Sequence, residues 1–351
     1  MAARILPIVL VMLAGGVVAD RLGSRGVMLA ADVLRGAVQA VFALVLVSGR
    51  APLWAMVVLV AVWGLGEGVF LPAFGALVPG LVRDAGRLPD ANTLLGLARS
   101  ATTVAGPAAA GLVTAGCGPA AVLLIDAATY GIGAVALARL APPARGRKGD
   151  GGSMLTELRE GWSEFRSRPW LWITTAHMGL SNLLVWAPFL VLGPLTAQHG
   201  LGGARGWGLV MGGYGAGAVL GGLLMLGRRP GRPLLVATVA TFGWALPSAA
   251  LAVGAPLAPV VVAALLAGVG AAVCGTLYST TLQSWVPAEV LARVSAFGGL
   301  GAFVLGPVGL AAAGPLADRV GVGAVLAFGA LWQLGAGAVV GAVPAVRRRR
   351  W

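Results

Sequence analysis

Apolar residues run along this chain in long stretches, separated by short segments rich in charge, proline or glycine. Eleven stretches stand out, at about residues 5–18, 27–48, 53–77, 94–116, 119–140, 170–196, 207–227, 233–253, 257–284, 295–316 and 322–345. Roughly 20 apolar residues, rising about 1.5 Å each, carry an α-helix across the hydrocarbon core of a bilayer. Inside that core the backbone must satisfy its own hydrogen bonds, so spans of this kind are helices. The pattern predicts an all-α, polytopic membrane protein with eleven transmembrane helices. The first stretch is short, and an odd number of spans places the two termini on opposite sides.

The longest connection divides five spans from six. The expected organisation is an N-terminal bundle over 1–140, a linker over 141–169, a C-terminal bundle over 170–346 and a basic tail over 347–351. The linker opens with Pro142-Pro143 and the run Gly149-Asp150-Gly151-Gly152. Ser153 is then placed to cap a short helix in which Leu155, Leu158, Trp162 and Phe165 share one apolar face, with the charges elsewhere. Two readings fit, a helix lying in the membrane interface and an ordinary solvated linker. A weak internal repeat also appears. Val78-Pro79, a charged segment and Gly106-Pro107 return as Val286-Pro287, a charged segment and Gly306-Pro307. Related halves are typical of secondary transporters, which carry substrate along the interface between repeats. Six spans per half would make twelve.

Composition agrees with this pattern. Of 351 residues 58% are hydrophobic and 11% charged, with a mean hydropathy of +0.90. Soluble domains carry about 25% charged residues. A net charge of +13 raises the question of nucleic acid, but the basic residues stand between apolar spans rather than on one water-facing surface. Their distribution matches the excess of Lys and Arg in cytoplasmic loops. Nineteen of the 25 fall on one alternate set of loops, Arg4, Arg50, Arg205 and Arg319 fall on the other, and Arg35 and Arg99 lie within spans. This bias predicts residence in the cytoplasmic membrane with a cytoplasmic C-terminus. Cys117 and Cys274 belong at different depths and carry no compartment signal. The 56 glycines fall largely within spans, where small residues let helices approach closely.

The loop between the first two spans reads Gly15-Gly16-Val17-Val18-Ala19-Asp20-Arg21-Leu22-Gly23-Ser24-Arg25. It resembles the signature loop of the major facilitator superfamily, with Gly16, Asp20, Arg21, Gly23 and Arg25 at the matching positions. In that family the loop follows the second helix, so the resemblance implies that the family's first helix is absent here. The competing reading of residues 1–21 is a secretory signal peptide, with Arg4 as its basic end and Val17-Val18-Ala19 before the cleavage point. Gly106-Pro107-Ala108-Ala109-Ala110-Gly111 resembles the glycine-proline motif on the fifth helix of exporters in this superfamily, although Thr102 and Ala110 stand where the family has glycines. Gly106, Pro107 and Gly111 would shape a bend, or serve generic close packing.

Further stretches narrow the resemblance to the branch around the enterobactin exporter and related drug and macrolide exporters. They are Phe70-Leu71-Pro72-Ala73-Phe74, Leu88-Pro89-Asp90-Ala91-Asn92, Arg168-Pro169-Trp170-Leu171-Trp172 and Leu282-Gln283-Ser284-Trp285-Val286-Pro287 running to Arg293-Val294-Ser295. The resemblance implies proton-driven export of bulky, largely apolar molecules such as drugs, macrolides or siderophore-type products, by a monomer that rocks two bundles around a central cavity. Gly227-Arg228-Arg229-Pro230-Gly231-Arg232 stands where the second half should repeat the signature loop, and it contains no acid.

Ionisable residues inside spans are costly and count as functional candidates. Glu67 lies about 15 Å from the inner end of its span, where a carboxyl favours its neutral form, as a proton carrier requires. It is equally placed for a structural ion pair with Arg35 or Arg99. Asp32 and Arg35, at i and i+3, read as a local pair, with Asp32 also a proton-coupling candidate. Asp126 could be protonated, paired or in contact with substrate. Asn182, Trp186, Trp244, Tyr278 and Gln283 offer the aromatic faces and polar groups that line a site for an amphipathic molecule, or else pack the bundle.

Lys148, the only lysine, lacks the glycine spacing of a phosphate-binding loop, so ATP hydrolysis is excluded. His177 and His199 belong near opposite membrane faces, which leaves no metal site, cofactor or catalytic constellation to assemble. The expected partners are a small-molecule substrate, protons and the lipid bilayer. Two rivals remain: an importer on the same fold, and a non-transporting membrane partner of a biosynthetic pathway.

Overall fold

The computed structural model describes residues 2–49, 52–82, 84–140 and 153–348. The start of the expected linker, Arg50, Arg83 and the last three residues of the basic tail lie outside the described residues. All regular structure described is helical. The main helices are α1 Ala2–Leu22, α2 Ser24–Val47, α3 Leu53–Leu81, α4 Leu88–Cys117, α5 Pro119–Arg139, α6 Met154–Arg166 and α7 Pro169–Gly200. They continue with α8 Gly203–Met225, α9 Pro233–Ala252, α10 Leu257–Trp285, α11 Leu291–Phe303, α12 Gly306–Val320 and α13 Val322–Ala342. Nine stretches among the described residues are long and apolar enough to cross a membrane: α2, α3, α5, α7, α8, α9, α10, the continuous α11–α12 stretch and α13. Helices α1 and α4 occupy the positions of the two remaining expected spans.

The helices fall into two compact units. The first takes residues up to 85, 105–167 and 283–300, and the second takes 86–104, 168–282 and 301 onward. Helix α4 is thus divided between them, and Gln283 to Leu300 joins the first unit although most of its sequence neighbours belong to the second.

In the first unit α1 packs on α3 backbone to backbone. A Cβ on Gly15 would stand 2.7 Å from Val69 Cα, and one on Gly68 would stand 2.9 Å from the Ile8 carbonyl oxygen. Lipid is as apolar as a leucine side chain, so such close approach supplies the dispersion contact that holds helices together in a bilayer. Ala19, Val27, Met28, Ala73, Leu77, Leu137 and Ala292 form the buried apolar cluster beneath the signature loop.

The second unit is built around Phe189, Leu192, Val210, Leu251, Val260, Ala264 and Leu326. Two of its helices are irregular. Helix α7 widens into a π-turn at Asn182–Trp186, and α9 tightens into a 3-10 turn at Thr241–Trp244. A buried polar cluster joins them: Ser181 Oγ donates to Gln333 Oε1 at 2.8 Å, and Gln333 Nε2 donates to the Thr241 carbonyl at 3.2 Å. Irregular turns leave backbone groups unpaired, and in a span those groups need protein partners.

Helix α6 begins where the sequence places it. Ser153 Oγ accepts from the Thr156 N–H at 3.2 Å, supplying the cap. Its face buried against the protein consists of Glu157, Gly161 and Phe165, while Leu155 and Trp162 on the expected apolar face are exposed. The cause is α11. Gly161 admits the Arg293 stem, Trp162 and Phe165 pack on Phe297, and the charge of Glu157 is met by arginines from elsewhere in the chain.

Candidate functional site

Two groups of polar side chains stand out in the first unit. One surrounds the signature loop. Gly23, at φ +88°, lets the chain turn from α1 into α2, a conformation that a side chain disfavours. Gly16 of α1 packs against α11, where a Cβ would meet the Ala292 carbonyl oxygen at 3.0 Å. That approach brings Asp20 to Arg293, whose Nε donates to Asp20 Oδ2 at 2.8 Å, both side chains being about nine-tenths buried. Arg293 also donates from Nη1 to Glu160 Oε2 at 3.1 Å and to the Glu157 carbonyl at 3.3 Å. Arg21 pairs with the Glu157 carboxylate at 2.8 Å. Burial pushes the Asp20 carboxyl up from 3.8 to about 6, against the opposing pull of the Arg293 guanidinium.

Arg25 does something different. Its Nε donates to the Leu137 carbonyl at 2.8 Å and its Nη2 to the Ala138 carbonyl. The last carbonyls of a helix have no partner within it, and a basic side chain there also meets the negative end of the helix dipole. Arg25 therefore caps α5.

The second group lies within α2, α3 and α5. Arg35 Nη2 bonds Asp32 Oδ1 at 2.5 Å, one turn along α2, and its guanidinium carbon sits 4.1 Å from the Phe70 ring centre and 4.8 Å from that of Tyr130. Gly66 makes room for it, since a Cβ there would approach Arg35 Cγ to 2.8 Å. Asp126 accepts from Gln39 Nε2 at 2.6 Å, and Tyr130 accepts from Trp63 Nε1 at 3.2 Å. The Tyr130 hydroxyl is within electrostatic reach of Arg35, Asp126 and Glu67 together. Arg35 is thus paired with Asp32 and lies over two rings, while Asp126 is bonded to Gln39. Arg99, the other partner considered for Glu67, is exposed on the part of α4 that belongs to the second unit.

The remaining sequence-predicted residues are dispersed. Asn182 donates to the Ala302 carbonyl at 3.1 Å, Trp186 stacks on Phe189 and Tyr214, and the Tyr278 hydroxyl meets Thr175 Oγ1 at 3.3 Å. Trp244 packs beside Met225, Ala237, Cys274 and Leu277, and Gln283 Nε2 donates to the Gly75 carbonyl in the first unit at 3.2 Å. Gly106 and Gly111 lie on α4 and, among the described residues, no atom comes within 4 Å of where a Cβ would stand; the side chain of Pro107 is outside the described set. In the second unit the loop that lacks an acid receives one from α4: Asp90 Oδ1 accepts from the Gly227 N–H at 2.8 Å.

Sequence reasoning missed Glu157, Gln39, Trp63 and Tyr130 as site residues, and it quoted Arg293 only within a stretch of resemblance. The available signal for Glu157 was its fit to the i, i+4, i+8 row of Gly161 and Phe165.

Comparison with known proteins bears on the family and the fold. The family described as Major Facilitator Superfamily matches residues 1–310. The "Multidrug efflux pump Tap" of Mycobacterium tuberculosis is 28% identical over 99% of this chain and 84% of its own length. The "Macrolide efflux protein A" of Streptococcus pyogenes is 24% identical over 88% of this chain and 77% of its own. Among solved structures, the E. coli fucose:proton symporter FucP superposes with a TM-score of 0.76 at 14% identity, covering 97% of this chain and 88% of its own. The proton:xylose symporter XylE superposes with a TM-score of 0.70 at 14% identity, covering 96% and 83%.

Proposed function

The chain belongs to the major facilitator superfamily and is a multi-pass membrane transporter, not an enzyme, and on that premise we propose that it exports small, largely apolar molecules in exchange for protons. The observation that carries the proton part is the presence of three carboxyls, Asp32, Glu67 and Asp126, on the membrane-spanning helices α2, α3 and α5, with Arg35 paired to Asp32. One guanidinium offsets one carboxylate, and uncompensated charge within a span is expensive. A proton taken up by a carboxyl within a span removes that cost, and its uptake and release during the cycle provides the coupling. Glu67 is assigned the travelling proton because it lies about 15 Å from the inner end of its span, near mid-membrane.

The efflux direction and the apolar cargo rest on the resemblance to multidrug and macrolide efflux proteins over most of the chain. Asp20, Arg21 and Arg293, with Glu157, form a latch on the cytoplasmic side that opens and closes with the cycle, and Arg25 anchors the loop on α5. The transporter acts as a monomer in the cytoplasmic membrane, with its C-terminus inside. The test is uptake of a labelled macrolide into inverted vesicles, with and without an inside-acid gradient. Export predicts uptake that depends on the gradient and is lost in Glu67→Gln. Gradient-driven uptake that survives in Glu67→Gln removes the assignment of Glu67, and uptake only into right-side-out vesicles identifies an importer.

A further inference from the structure

An apolar groove of about 350 Å3 runs along the second unit, between the π-turn of α7 and helices α12 and α13. Its origin is the π-turn itself. The widened backbone presses the Leu183 carbonyl toward Gly309, where a Cβ would stand 2.6 Å away, and presses the Leu184 carbonyl onto Gly329. Small residues on α12 then leave a channel lined by Ala312, Ala313, Leu183, Leu316 and Phe328 among others, and every described residue lining it is apolar. Its rim faces outward: Leu316 is 47%, Val320 55% and Phe328 57% exposed, on stretches long and apolar enough to span a membrane. What meets this face is therefore bilayer hydrocarbon.

We propose that the groove is a binding site for a single acyl chain of a membrane phospholipid, with its phosphate at Arg319. Three features select this occupant. The α12 side runs from Gly309 to Val320, about 16 Å at 1.5 Å per residue, which is about half the hydrocarbon thickness and hence one leaflet. A methylene has about the volume of a water molecule, roughly 30 Å3, so the space holds about a dozen. Arg319 continues the groove-lining row, three residues after Leu316 and seven after Ala312, at the end of α12 where headgroups lie, whereas Asp318 falls on the side opposite Gly309. An amphipathic drug would want the few polar contacts that this lining does not offer, and a helix of a second copy, about 10 Å across, is too wide for it.

Photolabelling tests the assignment. The full-length protein is placed in vesicles of phosphatidylethanolamine and phosphatidylglycerol with a trace of phospholipid carrying a diazirine midway along one chain. Adducts are then mapped by mass spectrometry. The proposal expects labelling of Leu183, Ala312, Leu316 and Phe328 to exceed that of the exposed α2 residues Val41 and Leu44 by about tenfold, a preference of about 1.4 kcal/mol. Ala312→Phe, at an exposed position, should reduce it to the α2 level, while Val339→Phe, equally exposed on α13, should leave it unchanged. Equal labelling of groove and α2 overturns the proposal, as does groove labelling retained in Ala312→Phe. Cross-links between two copies at Phe328 in its place identify a protein contact, and loss of labelling on adding a macrolide identifies a drug site.

Discussion

The pair formed by Asp20 and Arg293 has a strength that depends on pH in a calculable way. Burial raises the Asp20 carboxyl from 3.8 to about 6. Since the folded-state value is raised, the folded protein holds this proton more tightly than the unfolded chain does. The associated stability is present below about pH 4, falls as pH rises, and is lost by about pH 6 and above, a loss of about 3 kcal/mol at about 1.4 kcal/mol per unit. Asp20→Asn, which mimics the neutral acid, should therefore be no less stable than the parent at pH 7. Arg293→Gln removes the charge that opposes the effect of burial, so its Asp20 holds the proton to a higher pH than in the parent. The coupling between the two substitutions is then the free energy of ionising Asp20 beside Arg293. It is near zero at pH 5 and grows as pH rises past about 6, to about 1 kcal/mol at pH 7 and about 3 kcal/mol at pH 8. A double-mutant cycle of unfolding in detergent micelles at these three pH values measures it. Coupling of equal size at pH 5 and pH 8, or none at pH 8, refutes the reasoning.

Three further outcomes are expected. Gly66→Leu drives a side chain into the space of the Arg35 stem; it should cost about 1–3 kcal/mol in unfolding and abolish gradient-driven uptake, while Leu65→Ala on the exposed neighbour does neither. Asp90→Ala leaves the Gly227 N–H without its carboxylate, and hydrogen exchange at that amide should quicken about tenfold, whereas Asp90→Asn should largely retain the protection. Ser153→Ala removes the cap of α6 and should lower the stability of that helix by about 1 kcal/mol, read as faster exchange across Thr156 and Glu157.

Much of the fold was legible because its physics is local. A run of about 20 apolar residues is a helix in a bilayer whatever surrounds it, and Ser153 caps α6 through a hydroxyl three residues from its partner. The i, i+3 pair of Asp32 and Arg35 was visible for the same reason. The site was legible only where a local pattern carried it. Glu157 reads as part of a polar face, and only arginines distant in sequence, Arg21 and Arg293, offset its burial. The rings that hold Arg35 come from α3 and α5, and no periodicity on α2 announces them. Gly227 finds its acid at Asp90 on a different helix, which is why the loop alone looked incomplete. The π-turn in α7 also escaped prediction, because the glycines that receive its carbonyls lie on α12 and α13.

The central claim is that drug movement and proton movement are opposed and share the carboxyls of α2, α3 and α5. The most direct measurement is lumenal pH, reported by trapped pyranine in inverted vesicles with an acidic interior, when a macrolide is added outside. Exchange predicts that the lumen becomes more alkaline at once, and that Glu67→Gln abolishes the change. A lumen that stays constant, or that becomes more acidic as the macrolide enters, would contradict the account.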